Sequence, residues 1–290
     1  MDLVPSPERP LAELAFVAFD TEATGYSNVA DRLVEVAGVR FAWGGDGWRT
    51  DGVFEELVAP GRPMPPETLA VHGIADAQLA GAAPDIEVLD RFFAFAAGAV
   101  LAVHYAPADM GMMAFAYARA GRPAPPAYAL DTSPLARRLV DGVSDYSLET
   151  LAASLGLPAP THRALPDALA TRALLELCAA RLGGPESLTL GDLLARSGPL
   201  VTLEEFAGLP LELPAHLADV GRGLAEGRDV TLEYRGGSKG QGPRRVTPHY
   251  LFARQGHVFL EGFCHLDGAK KSFRVDRIER ATLIVGPPGP

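Results

Sequence analysis

The 290-residue chain is poor in cysteine, lysine and long apolar runs. Its two cysteines, Cys178 and Cys264, stand far apart with no CxxC partner. That spacing excludes a disulfide framework and argues against a zinc site. We therefore expect reduced thiols in a cytoplasmic protein. No apolar stretch reaches the ~18–20 residues of a membrane span. The opening MDLVPSPERP lacks the basic-then-apolar order of a signal peptide, so no membrane partner is expected. Lysine occurs only at Lys239, Lys270 and Lys271, and the formal net charge is −10. An acidic chain is unsuited to salt-driven coating of duplex nucleic acid. What remains is ordinary for a folded protein. At 48% hydrophobic and 21% charged residues the chain can bury a sizeable core and is neither disordered nor collagen-like. Its length predicts two domains.

Charge divides the chain. Residues 1–195 carry 13 arginines, no lysine and 25 acidic side chains, whereas residues 196–290 carry 13 basic and 11 acidic ones. Gly183-Gly184-Pro185 closes an apolar helical pattern and marks a boundary. The expected division is a first domain at 1–185, a connecting segment with short helices at 186–217, interrupted by Pro199, Pro210 and Pro214, and a second domain at 218–290.

The first part opens with strands at 14–19, 33–41 and 53–58, with Gly44-Gly45-Asp46-Gly47 as a hairpin turn. Helix at 86–97, strand at 100–103 and helix at 109–120 follow, then helices at 147–155 and 166–182. A strand meander followed by helix-strand alternation predicts an α/β fold, a mixed sheet with flanking helices. The last part is β-rich, with strands at 230–234, 250–253, 258–263 and 272–275. Gly236-Gly237 and Gly240-Gln241-Gly242 are turns between them, predicting a small barrel or sandwich.

Four acids and a histidine stand at element ends. Asp20 and Glu22 follow the apolar run FVAF, and strand alternation points both to one face. Two carboxylates so close are costly unless a cation sits between them, and hard oxygen ligands suit Mg²⁺ or Mn²⁺. Read alone, the pair is equally two solvated acids at a strand end. Asp109 stands near a helix start, where an acid is commonly a cap. Pro166 reads as the opening of the last helix of this part, with Asp167 in its first turn. His162 precedes it in a loop, free to fold back towards the carboxylates. Asp131 and Asp145 read as a helix-start acid and a loop acid. His72 and His104 read as structural. Arg137, Arg138, Arg163 and Arg172 read as solvated, with phosphate contact as the alternative.

Taken together the order is DxE…D…HxxxxD, carried by FDTEATG (19–25), VHGI (71–74), LAVHYAPAD (101–109), LDTSPLARRL (130–139) and YSLETLAASLGL…HRALPDALAT (146–171). Residues 12–182 resemble the DEDDh 3′→5′ exonucleases, the proofreading-subunit-like family. The resemblance implies a ribonuclease-H-like fold on which Asp20, Glu22, Asp109 and Asp167 bind two divalent ions, Mg²⁺ or Mn²⁺. It makes His162 the general base on the attacking water. It also places Thr21, Ala23, Thr24 and His162 by the terminal nucleotide. The family's usual His-Asn-Ala-x-Phe-Asp is here His104-Tyr105-Ala106-Pro107-Ala108-Asp109. The acid is kept, and Tyr105 offers either a stacking face for a base or an ordinary packing ring.

Residues 230–284 resemble a WYL domain through LEYRG (232–236), RRVTPHYLF (244–252), GHVFLEGFC (256–264) and FRVDRI (273–278). The namesake triplet is here Val258-Phe259-Leu260. The resemblance implies a small SH3-like β-barrel that binds nucleic acid or a nucleotide, with Tyr234, Arg245, His249, Phe259, Arg274 and Arg277 at its pocket. Cations and flat rings together suit a single strand. The expected function is release of nucleoside 5′-monophosphates from the 3′ ends of single-stranded DNA or RNA, with the second domain holding the strand. The alternatives are a non-catalytic nucleic-acid- or nucleotide-sensing regulator and a partner-dependent polymerase proofreading subunit, although no clamp-binding peptide is evident. Oligomeric state is not legible in the sequence.

Overall fold

The computed structural model describes residues 5–207, 213–236, 242–254 and 256–284. The chain packs as two compact units. One is drawn from Met1–Thr24, Leu33–Asp109 and Pro125–Leu203, the other from Gly25–Arg32, Met110–Ala124 and Glu204–Pro290.

The first unit is organised about β1 (Ala15–Ala23). Phe16, Val17, Ala18 and Phe19 are fully buried, because a strand covered on both faces needs a continuous apolar run. β2 (Leu33–Trp43) pairs antiparallel with β1, and β3 (Trp48–Ala59) pairs antiparallel with β2. The Gly-rich turn between them closes where the Gly44 N–H donates to the Gly47 carbonyl at 2.8 Å. The chain continues through α1 (Pro66–His72), α2 (Asp76–Leu79), β4 (Ala83–Pro84) and α3 (Asp85–Phe95). β5 (Val100–Val103) lies parallel to β1. After α4 (Ala106–Arg119), β6 (Tyr128–Asp131) lies parallel to β5. Helices α5 (Thr132–Leu139), α6 (Leu148–Leu155), α7 (Ala164–Arg181) and α8 (Leu190–Ser197) follow, and β7 (Val201–Thr202) closes the edge. The sheet order is β4-β3-β2-β1-β5-β6-β7, the mixed sheet with helices that the sequence predicts.

Several boundaries differ from the expectation for local reasons. α4 begins at Ala106 rather than Asp109, because the Asp131 carboxylate accepts the Ala106 N–H at 3.1 Å. α7 begins at Ala164, which puts Pro166 inside the first turn rather than at the opening. The missing N–H costs nothing there, since first-turn amides have no helical partner. β6 is too short to show a period. In the stretch read as a connecting segment, Leu190 and Leu193 of α8 are fully buried in the same core as Leu174 and Cys178, and β7 pairs with β6.

The second unit contains α9 (Glu204–Ala207) and α10 (Ala218–Glu226). Its five antiparallel strands are β8 (Val230–Tyr234), β9 (Arg244–Arg254), β10 (His257–Cys264), β11 (Ala269–Arg274) and β12 (Ile278–Leu283). Their order is β11-β10-β9-β8-β12. Among the described residues no pairing joins β11 to β12, so the strand pairing leaves this sheet open and does not show the expected SH3-like barrel. A 3₁₀ turn at Val275–Arg277 carries the chain round to pair β12 with β8, so β11 and β12 remain opposite edges. Leu232, Val246 and Leu260 form its buried interior. Residues 25–32 belong to this unit. The Asn28 carboxamide donates to the Leu251 carbonyl at 3.2 Å and the Ser27 hydroxyl to the Leu224 carbonyl at 2.9 Å. Lys239, Pro210 and the expected turn residues Gly237, Gly240 and Gln241 lie outside the described residues.

Candidate metal centre and active site

β1 delivers Asp20 and Glu22 to one face by simple alternation. α7 packs across β1 and brings Asp167 in its first turn. One carboxylate oxygen from each of Asp20, Glu22 and Asp167 lies within 4.8 Å of the others. Asp109, buried in the first turn of α4, is clamped to the strand residue between the two β1 acids. Its Oδ1 accepts the Thr21 N–H at 2.9 Å and the Thr21 hydroxyl at 2.7 Å.

The electrostatics follow from that crowding. Burial, then Asp109, Glu22 and Asp167, push the Asp20 carboxyl well above the usual range. Burial, then Asp167, Glu35 and Asp109, raise Glu22 to about 8, with Arg163 opposing. Burial raises Asp109 to about 7 despite the two Thr21 donors. Burial also raises Asp167, against the N–H of Thr161, which donates to it at 2.8 Å. Without a cation this cluster retains protons near neutral pH. An all-oxygen, desolvated, mutually repelling donor set fits a hard divalent ion such as Mg²⁺ or Mn²⁺.

His162 lies on the loop entering α7 with a left-handed backbone, φ 55°. Its imidazole is half exposed, and Nδ1 stands 3.9 Å from a Glu149 oxygen rather than being folded onto the acids. Thr24 is buried, and its carbonyl accepts the Thr68 hydroxyl of α1 at 3.2 Å. Ala23 ends β1 just past a register irregularity. Tyr105 also has a left-handed backbone, φ 77°. Its N–H donates to Asp131 at 3.0 Å, and the same carboxylate caps α5 through the Ser133 N–H. Asparagine tolerates that backbone better than tyrosine, which gives a physical reason for the family's usual residue there. His104 bridges the Thr132 hydroxyl and the Tyr146 carbonyl, both at 2.9 Å; burial lowers its pKa, in keeping with a structural role. Asp145 accepts the Ser147 N–H, which with the Ser147 and Thr150 hydroxyls holds it at about 2.

Two residues at the site escaped the sequence reading. Glu35 of β2 is 1% exposed, sits opposite Glu22, and accepts a two-pronged contact from Arg163. The available signal was a lone acid inside the apolar run LVEVAGVRF, since a buried charge demands a partner. Arg163, expected to be solvated, is that partner.

The six C-terminal residues do not all converge. The Tyr234 hydroxyl accepts the Arg274 N–H at 3.2 Å, and Phe259 pairs across strands with Arg274 while stacking on Phe252 at 5.2 Å. Arg274 itself is held by Asp276 at 2.6 Å and reaches His257 at 3.1 Å. Arg245 is committed to Asp229 at 2.5 Å. His249 lies against the Tyr26 ring at 5.3 Å, and burial plus the nearby Lys270 lower its pKa to about 4. Arg277 is exposed on the 3₁₀ turn.

A central strand and two helix starts that gather four acids on a mixed sheet define a metal-binding α/β protein equipped for hydrolytic chemistry. The chain belongs to the exonuclease family, whose model matches residues 17–175; the WYL domain model matches residues 215–283. It is 40% identical over 169 residues to a DNA polymerase III subunit epsilon-like protein of Rhodobacter capsulatus, covering 57% of this chain and 23% of that protein. It is 33% identical over 162 residues to a PolC-type DNA polymerase III of Listeria welshimeri, covering 56% of this chain and 11% of that protein. The chain thus spans less than a quarter of either relative's length. The crystal structure of the nuclease domain of 3′hExo, a DEDDh family member bound to rAMP, shares the fold with a TM-score of 0.50 and 16% identity. That match covers 56% of this chain and 91% of the other.

Proposed function

We propose that this protein is a metal-dependent 3′→5′ exonuclease that releases nucleoside 5′-monophosphates from single-stranded DNA or RNA. The observation that carries the reading is the convergence of Asp20, Glu22 and Asp167 oxygens within 4.8 Å, with Asp109 tied to Thr21 between them. Asp20, Glu22, Asp109 and Asp167 would hold two divalent ions, Mg²⁺ or Mn²⁺. Bound there, such ions supply Lewis acidity and an activated water. The chain's own residues do the rest. The four carboxylates exchange their retained protons for metal charge. His162 accepts the proton of the attacking water after its ring turns from Glu149. Thr21, Ala23 and Thr24 shape the backbone beside the 3′-terminal nucleotide, and Tyr105 offers a ring for a base to stack on. The rAMP bound to 3′hExo supports the nucleotide reading.

In this reading residues 1–185 supply the catalysis, the stretch to 217 begins with α8 and β7 packed into the first unit, and 218–290 bind nucleic acid or a nucleotide around Tyr234, Phe259 and Arg274. Two buried free thiols fit a cytoplasmic setting. Among the described residues no helix is long and apolar enough to cross a membrane.

The test is release of mononucleotides from labelled single-stranded DNA and RNA with Mg²⁺ or Mn²⁺, with and without EDTA. EDTA-sensitive release from the 3′ end supports the reading. No release with either ion, from any substrate, overturns it in favour of a sensing role. Replacing Arg274 by Ala should weaken turnover of long strands more than of dinucleotides, and an equal loss on both removes the binding role of the C-terminal sheet.

A further inference from the structure

Glu35 is the most enclosed carboxylate among the described residues. A lone acid in a buried strand is costly unless its charge is matched and its oxygens are hydrogen-bonded. The match comes from the loop ahead of α7. Arg163 Nε donates to Glu35 Oε2 at 3.0 Å, its terminal nitrogen donates to Oε1 at 2.5 Å, and the Ala164 N–H donates to Oε2 at 2.9 Å. A guanidinium fork fixes orientation as well as distance. On the other side of His162, the Thr161 N–H donates to Asp167. Residue 162 is therefore held from both flanks. One anchor is a carboxylate of the acid cluster. The other is on the strand paired with the one bearing Asp20 and Glu22.

This anchorage accounts for an otherwise unfavourable backbone. A non-glycine residue at φ 55° is strained and persists only where its surroundings enforce it. We propose that Glu35 is a positioning residue which, through Arg163, holds the 161–164 segment and with it the backbone of His162 between the carboxylate cluster and β2. Both Glu35 oxygens accept hydrogen bonds in this arrangement, and Glu35 stands outside the group of Asp20, Glu22 and Asp167 oxygens that approach one another. The inference rests on the reading of His162 as the base.

The experiment compares Glu35→Gln and Arg163→Lys, each alone and in a His162→Ala background, in the full chain. It measures kcat and KM with Mn²⁺ on a 3′-labelled single strand, together with thermal melting. Each single change should lower kcat about 10- to 100-fold, with KM within about threefold. In the His162→Ala background the further loss should be under about twofold, because the effect runs through that residue. Equal losses in both backgrounds, or unchanged kcat in the single variants, overturn the proposal. If Glu35→Gln melts below the assay temperature, Arg163→Lys carries the comparison. NMR of the metal-free protein separates this from the catalytic reading. Amide signals of residues 161, 162, 163 and 164 should move in either variant, and in Arg163→Lys they should move more than those of Ala15, Phe16, Val17 and Ala18 at the far end of β1. Unmoved signals overturn the positioning role even if His162 proves dispensable for turnover.

Discussion

In the C-terminal sheet, Asp229 is nearly buried yet accepts from Arg245 and from the Thr247 hydroxyl, the latter at 2.6 Å. Burial alone would raise its pKa, but the hydroxyl and the guanidinium hold it below the usual range. Asp276 with Arg274, and Asp219 with the Leu283 N–H and Arg222, behave alike. At the end of β1 the reverse holds. Among the described residues no ion pair engages Asp20, Glu22 or Asp109, and all three are raised. A carboxylate matched by an internal cation is holding the fold together. A cluster left to repel itself in a desolvated place is stable in its ionised form only with a cation from outside. The contrast sets the acids at the end of β1 apart from those of the C-terminal sheet on charge matching alone.

The largest effect should come from removing a cluster acid. Asp20→Ala is expected to lower turnover by about 10³-fold or more while the fold survives, since in the proposed reading the side chain would hold metal rather than fill a core. Near-normal turnover would place the chemistry elsewhere. The same logic gives Asp20→Asn a higher melting temperature than the parent in EDTA, because the folded chain no longer has to bury or protonate that carboxyl, and a fall or no change would count against the strain in the cluster.

The two regions should also respond to pH with opposite sign. Glu22, at about 8, and Asp109, at about 7, bind protons more tightly when folded. Their contribution to metal-free stability is complete below their unfolded values of about 4 and is lost as pH rises through 7 to 8. Mn²⁺ should therefore raise the melting temperature more at pH 8 than at pH 5. A metal effect independent of pH would sink this. Asp229, whose pKa is lowered, contributes stability above its unfolded value and loses it as pH falls through its folded one. Asp229→Ala should cost about 2 kcal/mol near neutral pH, measured by denaturant melts, and less in acid. The smallest effect is Tyr105→Asn, expected to stabilise by about 0.5–1 kcal/mol through relief of the left-handed backbone. A loss instead would show that the tyrosine ring's packing outweighs the strain.

Much of the fold and site was legible because short-range rules govern it. FVAF forms a central strand, the i, i+2 spacing puts Asp20 and Glu22 on one face, and the helix expected at 147–155 is α6, Leu148–Leu155. The short β6 and β7 were not legible, since two to four residues show no period. Nor was Glu35 with Arg163, a pair separated by more than a hundred residues that only the packing of α7 against β2 joins. His162 was correctly a loop residue, but the turn of its ring towards Glu149 depends on neighbours that the linear pattern does not specify.

By itself, then, the sequence determined which residue types stand at strand ends and helix starts, because alternation, capping and apolar runs act over a few residues. The tertiary structure alone decided which of those acids share one cluster, which are matched by arginine, and in what order the C-terminal strands pair. Those outcomes depend on distances between elements far apart in the chain, and charge interactions in a desolvated interior are set by distance and burial rather than by order along the chain.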